Sequence, residues 1–255
     1  MKKRSKLFRS IIFGVATVVG LSTFGAFGTC SAKAAGGNWR YEKLNTSWIN
    51  RSKPMVAFAF DDGPVSSQGN TPGMRILNTL KKYNQHATFF YWGNKINNSN
   101  KDEVGYANYI GCEIGNHTWT HSNLTKLGSW QIQNEIEQCR SKLQQITGLH
   151  SFLVRPPYLA TNYTVSQNVN VPMITCSLDT GDWNNGNYQS IVNKLRQVRD
   201  GDILLMHETY AATAQAVETM VPELLNRGFQ IVSVSELAAM KGRNLQKGQV
   251  YNSFR

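Results

Sequence analysis

Short apolar and β-branched runs recur along the chain and alternate with segments in which apolar residues repeat every three or four positions. Runs of this length are typical of buried strands, and the longer repeats match one face of a helix. Alternation of strands and helices indicates βα units on a parallel sheet. The pattern predicts an α/β fold with seven strands, at about residues 54–60, 86–91, 112–115, 152–155, 172–177, 203–206 and 230–234.

The clearest helix is predicted over residues 129–147, where five apolar side chains fall alternately four and three positions apart. Gly148 follows it as a C-terminal stop. Pro72 suits the start of a second helix, and Gly228 lies just past the end of another. Seven parallel strands connected in this way favour a (β/α) barrel that is distorted or incompletely closed. The remaining helices are predicted over residues 72–84, 188–199 and 213–227.

The first 34 residues are organised as a secretory signal peptide. Residues 1–10 carry five basic side chains and no acidic one, residues 11–28 are apolar, and Ala32-Lys33-Ala34 forms a cleavage site. The alternative is an uncleaved membrane anchor, which the glycines of the apolar run disfavour. We therefore expect a bacterial protein that is secreted and keeps no membrane span after cleavage. The rest divides into an N-terminal arm (35–53), one α/β domain (54–240) and a C-terminal arm (241–255).

Cleavage changes the charge balance. The full chain of 255 residues has 27 basic and 16 acidic residues, a net charge of +11. Six of the basic residues lie in the leader, so 21 basic residues would remain against 16 acidic ones, a net charge of +5. A balance this close to neutral is poor support for a nucleic-acid partner, although it suits an anionic cell wall. We expect a monomer.

Three cysteines follow the leader, which allows at most one intramolecular disulfide among Cys112, Cys139 and Cys176. The chain has no C-x-x-C sequence, so a thiolate zinc site is not expected. Stability must therefore come from the hydrophobic core.

Polar clusters follow five of the predicted strands, each at the carboxyl end. In a parallel α/β barrel these ends share one face, which carries the active site. The clusters are Asp61-Asp62, "GNHTWTH" (115–121), "RPPY" (155–158), "SLDTGDW" (177–183) and "LLMH" (204–207).

Two histidines four positions apart, His117 and His121, would face the same side of a helical turn. With one carboxylate they form a three-ligand set that suits Zn²⁺ and leaves a position open for water. The spacing alone is a weak signal, and a structural role is about as frequent. The strand-end carboxylates Asp61 and Asp62 favour the metal site.

The adjacent carboxylates Asp61 and Asp62 can then divide two tasks. Taken alone, an Asp-Gly-Pro sequence is more often a plain turn. Beside a metal, one carboxylate can bind the ion, whose charge offsets the repulsion between the two acids. The metal lowers the pKa of its bound water from about 15.7 to roughly 7. The second carboxylate can take the proton from that water.

Further residues of the clusters would complete a hydrolytic site. His207 is either a core histidine that closes a strand or a general acid for the leaving group. Asp182 could hold His207 in one tautomer and raise its pKa. Arg155 could orient the free carboxylate of the aspartate pair by a bidentate contact. Trp183 could wall a small apolar pocket with Leu205, the alternative being an ordinary core tryptophan.

Taken together, these sequences resemble the polysaccharide deacetylases of carbohydrate esterase family 4, which share the NodB homology domain. The resemblance spans about residues 54–240 and rests on "FDDGP", "HTWTH", "RPPY", "DTGDW" and "LMH" in that order. It implies a distorted (β/α) barrel, hydrolysis of acetyl groups on sugars, and a divalent metal, usually Zn²⁺, with Co²⁺ or Ni²⁺ as alternatives. The implied roles are catalytic base (Asp61), metal ligands (Asp62, His117, His121), oxyanion-binding backbone N–H (Tyr158), acetyl pocket (Trp183, Leu205), general acid (His207) and supports of base and acid (Arg155, Asp182).

One departure from the family pattern concerns the residue after Tyr158. Many members read R-x-P-Y-G, whereas Leu159 follows here, and a bulkier loop is expected to reshape the acetyl or sugar pocket. The "RPPYLATN" form resembles the acetylxylan esterase branch. N-deacetylation of peptidoglycan N-acetylglucosamine or of a chitooligosaccharide is the alternative function, and an inactive carbohydrate-binding relative is the second alternative. A zinc peptidase is disfavoured because H-E-x-x-H is absent from the chain.

Overall fold

The computed structural model describes residues 38–185 and 187–255. The predicted signal peptide and residues 35–37 of the predicted arm lie outside the described residues. The strands are Asn38–Trp39 (β1), Met55–Ala57 (β2), Ala59–Gly63 (β3), Thr88–Tyr91 (β4), Glu113–Asn116 (β5), Met173–Ile174 (β6), Leu178–Asp179 (β7), Leu204–His207 (β8), Gln230–Val232 (β9), Leu245–Gln246 (β10) and Val250–Tyr251 (β11). The helices are Pro72–Lys82 (α1), Lys101–Tyr109 (α2), Ser129–Thr147 (α3), Tyr163–Asn168 (α4), Asp182–Asn185 (α5), Tyr188–Leu195 (α6), Ala211–Asn226 (α7) and Val234–Met240 (α8).

The parallel sheet runs in the order β5-β4-β3-β8-β7, and β2 pairs with β9. Single parallel bridges extend the pairing, from Ala57 to Ile203 and through Val154 to Asn116 and Met173. The structure thus confirms an α/β fold with parallel strands, and its barrel is distorted where single bridges replace full ladders.

The strand predicted over 152–155 is reduced to the single bridging residue Val154. Pro156 and Pro157 follow it, and proline has no backbone N–H with which to extend a ladder. The run predicted at 54–60 is divided at Phe58, because β2 pairs with β9 whereas β3 pairs with β4 and β8.

Helix α3 has the predicted bounds, and Gly148 ends it in the left-handed conformation, with φ of 73°. Helix α1 begins at Pro72 after Thr71, whose side chain accepts a hydrogen bond from the Met74 backbone N–H. The other two predicted helices correspond to α6 and α7, with ends displaced by a few residues.

The core is centred on the aromatic side chains of β3 and β4. Phe60 stacks on Phe89 with ring centroids 5.0 Å apart, and Phe89 stacks on Tyr91 at 6.0 Å. All three side chains are completely buried. Burial of each phenylalanine ring contributes about 1.5–3 kcal/mol, so strand β3, whose end carries Asp61 and Asp62, is firmly anchored.

The two predicted arms are ordered against the domain. Strand β1 pairs antiparallel with β10, and β11 adds in parallel to β6. The predicted domain boundaries themselves stay a prediction. Cys112, Cys139 and Cys176 are all free, so the described residues contain no disulfide. Within this part of the chain, no helix has the length and apolar character needed to cross a bilayer.

Candidate active site

The loops that follow β3, β5, Val154, β7 and β8 surround one cavity of about 390 Å³. Eight of the ten predicted site residues line it, and the other two, Arg155 and Asp182, are completely buried behind its wall. The cavity is lined by Asp61, Asp62, His117, His121, Tyr158, Leu159, Asp179, Trp183, Leu205, His207 and Tyr210.

Asp62, His117 and His121 converge as a set of side chains that could hold a metal ion, with one ligand atom of each lying within 4.8 Å of the others. The Oδ1 of Asp62 is 3.5 Å from His117 Nε2 and 3.3 Å from His121 Nε2. Bonds of about 2.0–2.1 Å at the tetrahedral angle place donor atoms about 3.3–3.4 Å apart. Buried Asp62 Oδ1 has no hydrogen-bond partner among the described residues. The geometry of the three residues therefore fits a divalent cation.

Both imidazoles are held in the neutral form that binds metals. Burial lowers the pKa of His117 to about 3, and burial also lowers the pKa of His121. The Nδ1 of His117 lies 2.7 Å from the carbonyl oxygen of Arg155, which fixes the tautomer. The lone pair on Nε2 is consequently directed at Asp62, as in metal sites whose histidines are oriented by a second hydrogen bond.

The expected helical turn for His117 and His121 is wrong. The segment is a loop in which Thr118 and His121 have positive φ angles of 67° and 60°. Two side chains replace the helical hydrogen bonds: Asn116 Oδ1 accepts from the Thr118 N–H at 2.8 Å, and Thr118 Oγ1 accepts from the His121 N–H at 3.1 Å. The i, i+4 spacing brings the imidazoles together through this turn.

Glu135 of α3 supports the same loop, and the sequence analysis missed it. Its carboxylate accepts hydrogen bonds from the N–H groups of Trp119 (3.0 Å) and Thr120 (2.8 Å) and from the Thr120 hydroxyl (2.6 Å). The signal was present, because position 135 lies on the apolar face of the helix, three residues after Ile132.

Asp61 is buried next to the candidate metal ligands and pairs with completely buried Arg155, with Nη1 2.9 Å from Oδ1. Burial raises the pKa of Asp61 although the charge of Arg155 opposes the rise. The bidentate contact expected of Arg155 is wrong. Its Nη2 donates instead to the carbonyl oxygens of Thr175 (3.1 Å) and Leu204 (3.2 Å), so the guanidinium also joins two strand segments.

His207 faces the cavity and is held from behind by Asp182. Oδ1 of Asp182 lies 2.8 Å from His207 Nδ1, and its Oδ2 accepts from the His207 backbone N–H at 2.7 Å. Burial favours the neutral imidazole, but the hydrogen bond and charge of Asp182 outweigh it and raise the pKa of His207. The expected pairing of the two residues is therefore present.

The exposed wall of the cavity is aromatic. Trp183 is 56% exposed and its Nε1 donates to Asp179 Oδ2 at 3.3 Å, so the core alternative for this tryptophan is wrong. Tyr158 is 68% exposed and packs its ring against His121, with ring centroids 5.0 Å apart. Tyr210 also lines the cavity and was missed by the sequence analysis, because it lies beyond the last motif.

Backbone strain is concentrated at this site. Among the described residues six non-glycine residues have positive φ, and five of them belong to the site loops. Such conformations cost about 1–3 kcal/mol each and persist where the surrounding structure enforces them. The five are Asp62, Thr118, His121, Tyr158 and Leu159.

Comparison with known proteins defines the class. The polysaccharide deacetylase family profile matches residues 49–177. The chain is 34% identical over 204 residues to a bifunctional xylanase/deacetylase of Pseudobutyrivibrio xylanivorans, covering 78% of this chain and 33% of that protein. It is 35% identical over 202 residues to a peptidoglycan-N-acetylglucosamine deacetylase of Listeria monocytogenes, covering 79% of this chain and 42% of that protein.

A solved structure supports the same class of protein. A family 4 acetyl xylan esterase from Clostridium thermocellum, in complex with a cobalt ion, superposes with a TM-score of 0.72 at 32% identity, covering 78% of this chain and 98% of that one. The chain belongs to the polysaccharide deacetylase family, carbohydrate esterase family 4. It spans about a third to two fifths of the length of the two curated relatives.

Proposed function

We propose that this chain is a secreted, metal-dependent deacetylase that removes acetyl groups from a polysaccharide, with acetylated xylan as its substrate. The supporting observation is the grouping of Asp62, His117 and His121 around one point of a cavity that Asp61 and His207 also line. The signal-peptide organisation of residues 1–34 supports secretion.

The metal site is proposed for Zn²⁺, with Co²⁺ or Ni²⁺ as alternatives. Two imidazoles and one carboxylate form a donor set that zinc accepts while keeping a position open. Bound there, the cation would polarise the acetyl carbonyl and acidify a water molecule.

Asp61 is proposed as the base and His207 as the acid. Water attacks the acetyl carbon as Asp61 takes its proton, and the backbone N–H of Tyr158 donates to the carbonyl oxygen. When the bond between acetyl carbon and sugar oxygen breaks, His207 gives its proton to that oxygen, and acetate and the sugar hydroxyl are released. Arg155 orients Asp61, and Asp182 keeps His207 protonated. Trp183 and Leu205 enclose the acetyl methyl group.

N-deacetylation of peptidoglycan N-acetylglucosamine or of a chitooligosaccharide is the second candidate. The raised pKa of His207 favours it, because an amine leaving group must be protonated as the C–N bond breaks. The similarity to a relative named as a peptidoglycan deacetylase is as strong as the similarity to the xylanase/deacetylase.

The test is acetate release by the metal-loaded protein from acetylated xylan, an N-acetylated chitooligosaccharide and peptidoglycan. Each substrate is also assayed after chelation and after Zn²⁺, Co²⁺ or Ni²⁺ is restored. Fastest release from xylan, abolished by chelator, would support the proposal. Preferred release from an N-acetylated polymer would support the second candidate. Saturable polymer binding without acetate release under any condition would support an inactive carbohydrate-binding protein.

A further inference from the structure

Two buried glutamates lie together behind the turn that carries Asp62. Glu103 of α2 is 0% exposed, and Glu208, which directly follows β8, is 1% exposed. The two carboxyl groups lie within hydrogen-bonding reach of each other. Within the described residues neither glutamate forms an ion pair with a lysine, arginine or histidine.

A hydrogen bond between two carboxyl groups requires that one of them carries a proton, since a carboxylate is only an acceptor. Glu103 is the accepting partner, because its oxygens also accept from the backbone N–H groups of Val65 (3.2 Å) and Ser66 (3.0 Å). Glu208 instead faces negative charges, from Glu103 and from both aspartates at the end of β3. The proton therefore belongs on Glu208.

The surroundings oppose ionisation of Glu208. Its Oε2 has no hydrogen-bond partner within the described residues, so an anion there would be a buried and uncompensated charge. The groups that face it are Asp61 and Asp62 of β3, Tyr91 of β4 and Glu103 of α2. Burial raises the pKa of Glu208 well above its ordinary value, and burial raises the pKa of Glu103 to about 7.

The glutamates hold both sides of the Asp61–Gly63 turn, which is the irregular end of β3 where its ladder with β4 shifts register. A Cβ atom at Gly63 would overlap Glu208 Oε1, so the carboxyl group occupies the space that glycine leaves open. The Glu208 backbone N–H donates to the carbonyl oxygen of Asp61 at 3.3 Å. On the other side, Glu103 binds the backbone just after the turn. Between these contacts Asp62 is held at φ of 69°.

We propose that Glu103 and Glu208 share one proton and that this carboxyl pair positions the Asp61–Gly63 turn for metal binding and proton abstraction. The glutamates are positioning residues, because neither of them lines the cavity. This inference rests on the proposed function in one respect, namely that Asp61 and Asp62 are the groups being positioned.

The shared proton is tested by infrared spectroscopy of the full chain at neutral pH. We expect a protonated-carboxyl carbonyl band that is present in the unmodified protein and lost in Glu208→Gln. The difference spectrum between these two proteins isolates Glu208 from other buried carboxyl groups. A difference spectrum without this band overturns the shared proton.

Positioning is tested by calorimetric titration of Zn²⁺ into the metal-free protein. Glu208→Gln keeps a neutral hydrogen-bond donor toward Glu103 and should bind Zn²⁺ nearly as tightly as the unmodified protein. Glu208→Met fills the space without donating and should bind about 10- to 100-fold more weakly, as when a group that orients metal ligands is removed. Glu208→Ala should behave like Glu208→Met.

Glu113→Gln is the matched control, because Glu113 is also completely buried but lies at the start of β5, at the opposite end from the strand-end cluster. It should change stability and leave Zn²⁺ affinity unchanged. Equal affinities of Glu208→Gln and Glu208→Met overturn the positioning role. The infrared band and the Zn²⁺ affinity do not depend on turnover. A protein that releases no acetate would therefore refute the proposed function, while the roles of Glu103 and Glu208 could still be tested.

Discussion

Asp61 and His207 occupy directly paired positions on the neighbouring parallel strands β3 and β8. Their side chains enter the same cavity from adjacent strand ends, with the predicted metal ligands beside Asp61. Arg155 pairs with Asp61 and Asp182 pairs with His207, so the proposed base and the proposed acid each have a separate buried partner of opposite charge. The two proton-transfer roles can therefore be separated by mutation.

Removal of the acid should affect amides more than esters. We expect His207→Ala to lower kcat on an N-acetylated chitooligosaccharide by about 10²–10⁴-fold. The loss on a matched O-acetylated oligosaccharide should be markedly smaller, because an alkoxide leaves with less help. Acetate release from the two substrates measures the difference. As a control, Asp61→Asn should reduce both activities alike, and equal losses for His207→Ala would contradict the assignment.

The pH profile should depend on Asp182. A general acid works while it is protonated, so activity declines as the pH rises through its pKa. Asp182 raises the pKa of His207, which moves this decline to higher pH. In Asp182→Asn the alkaline limb of kcat against pH should shift to lower pH. Asp179→Asn is the control, since Asp179 lines the cavity without contacting His207, and its profile should keep the original limb.

Glu135 should influence metal affinity from outside the ligand set. Glu135→Met removes the carboxylate oxygen that accepts from both the Trp119 and the Thr120 N–H groups, which shape the His117–His121 loop. We expect Zn²⁺ affinity to fall by about 10- to 100-fold in calorimetric titration. Glu137→Met, on the same helix, removes an exposed pair with Arg140 and a hydrogen bond from the Ser141 hydroxyl, and should bind Zn²⁺ normally. Equal affinities of the two variants would show that the loop holds its shape without Glu135.

Arg155 should matter for stability as well as for activity. Arg155→Met leaves Asp61 as an unpaired buried carboxylate, and we expect the free energy of unfolding to fall by about 3–5 kcal/mol. The exposed pair of Arg75 and Glu218 is the comparison, and Arg75→Met should cost less than about 1 kcal/mol. Denaturant titrations measure both. Adding Asp61→Asn to Arg155→Met should recover part of the lost free energy of unfolding, because the unpaired charge is removed. If the double variant recovers none of it, the uncompensated charge is not the cause of the loss.

Glu113 should make stability depend on pH. Burial raises its pKa from 4.5 to about 7 in the folded protein, against hydrogen bonds from Ser235 and Thr88 that lower it. Between pH 4.5 and pH 7 the Glu113 carboxyl is ionised in the unfolded chain but still protonated in the folded protein. The contribution of Glu113 to stability is therefore fully present below about pH 4.5 and is lost as the pH rises through 7. Denaturant titrations from pH 4 to 8 should show a weaker decline in Glu113→Gln. An unchanged decline would mean that other groups govern it.

Much of the fold followed from local pattern. The apolar spacing of residues 129–147 determined α3, and Gly148 determined its end, because both depend on contacts within a few residues. Six of the seven predicted strands contain ladder residues for the same reason. The seventh predicted strand is reduced to Val154, because Pro156 and Pro157 limit pairing. The prediction relied on the apolar run and gave these prolines too little weight.

The candidate site separates what the sequence predicted from what only the tertiary structure determined. Sequence alone predicted that Asp62, His117 and His121 share one face, because parallel strands place their carboxyl ends together, and the family resemblance implied that these three residues are the metal ligands. Only the tertiary structure decided how they are held, since Glu135 and Glu208 act through backbone groups distant in sequence. Such contacts leave no periodic signal, because they depend on which segments the barrel brings together.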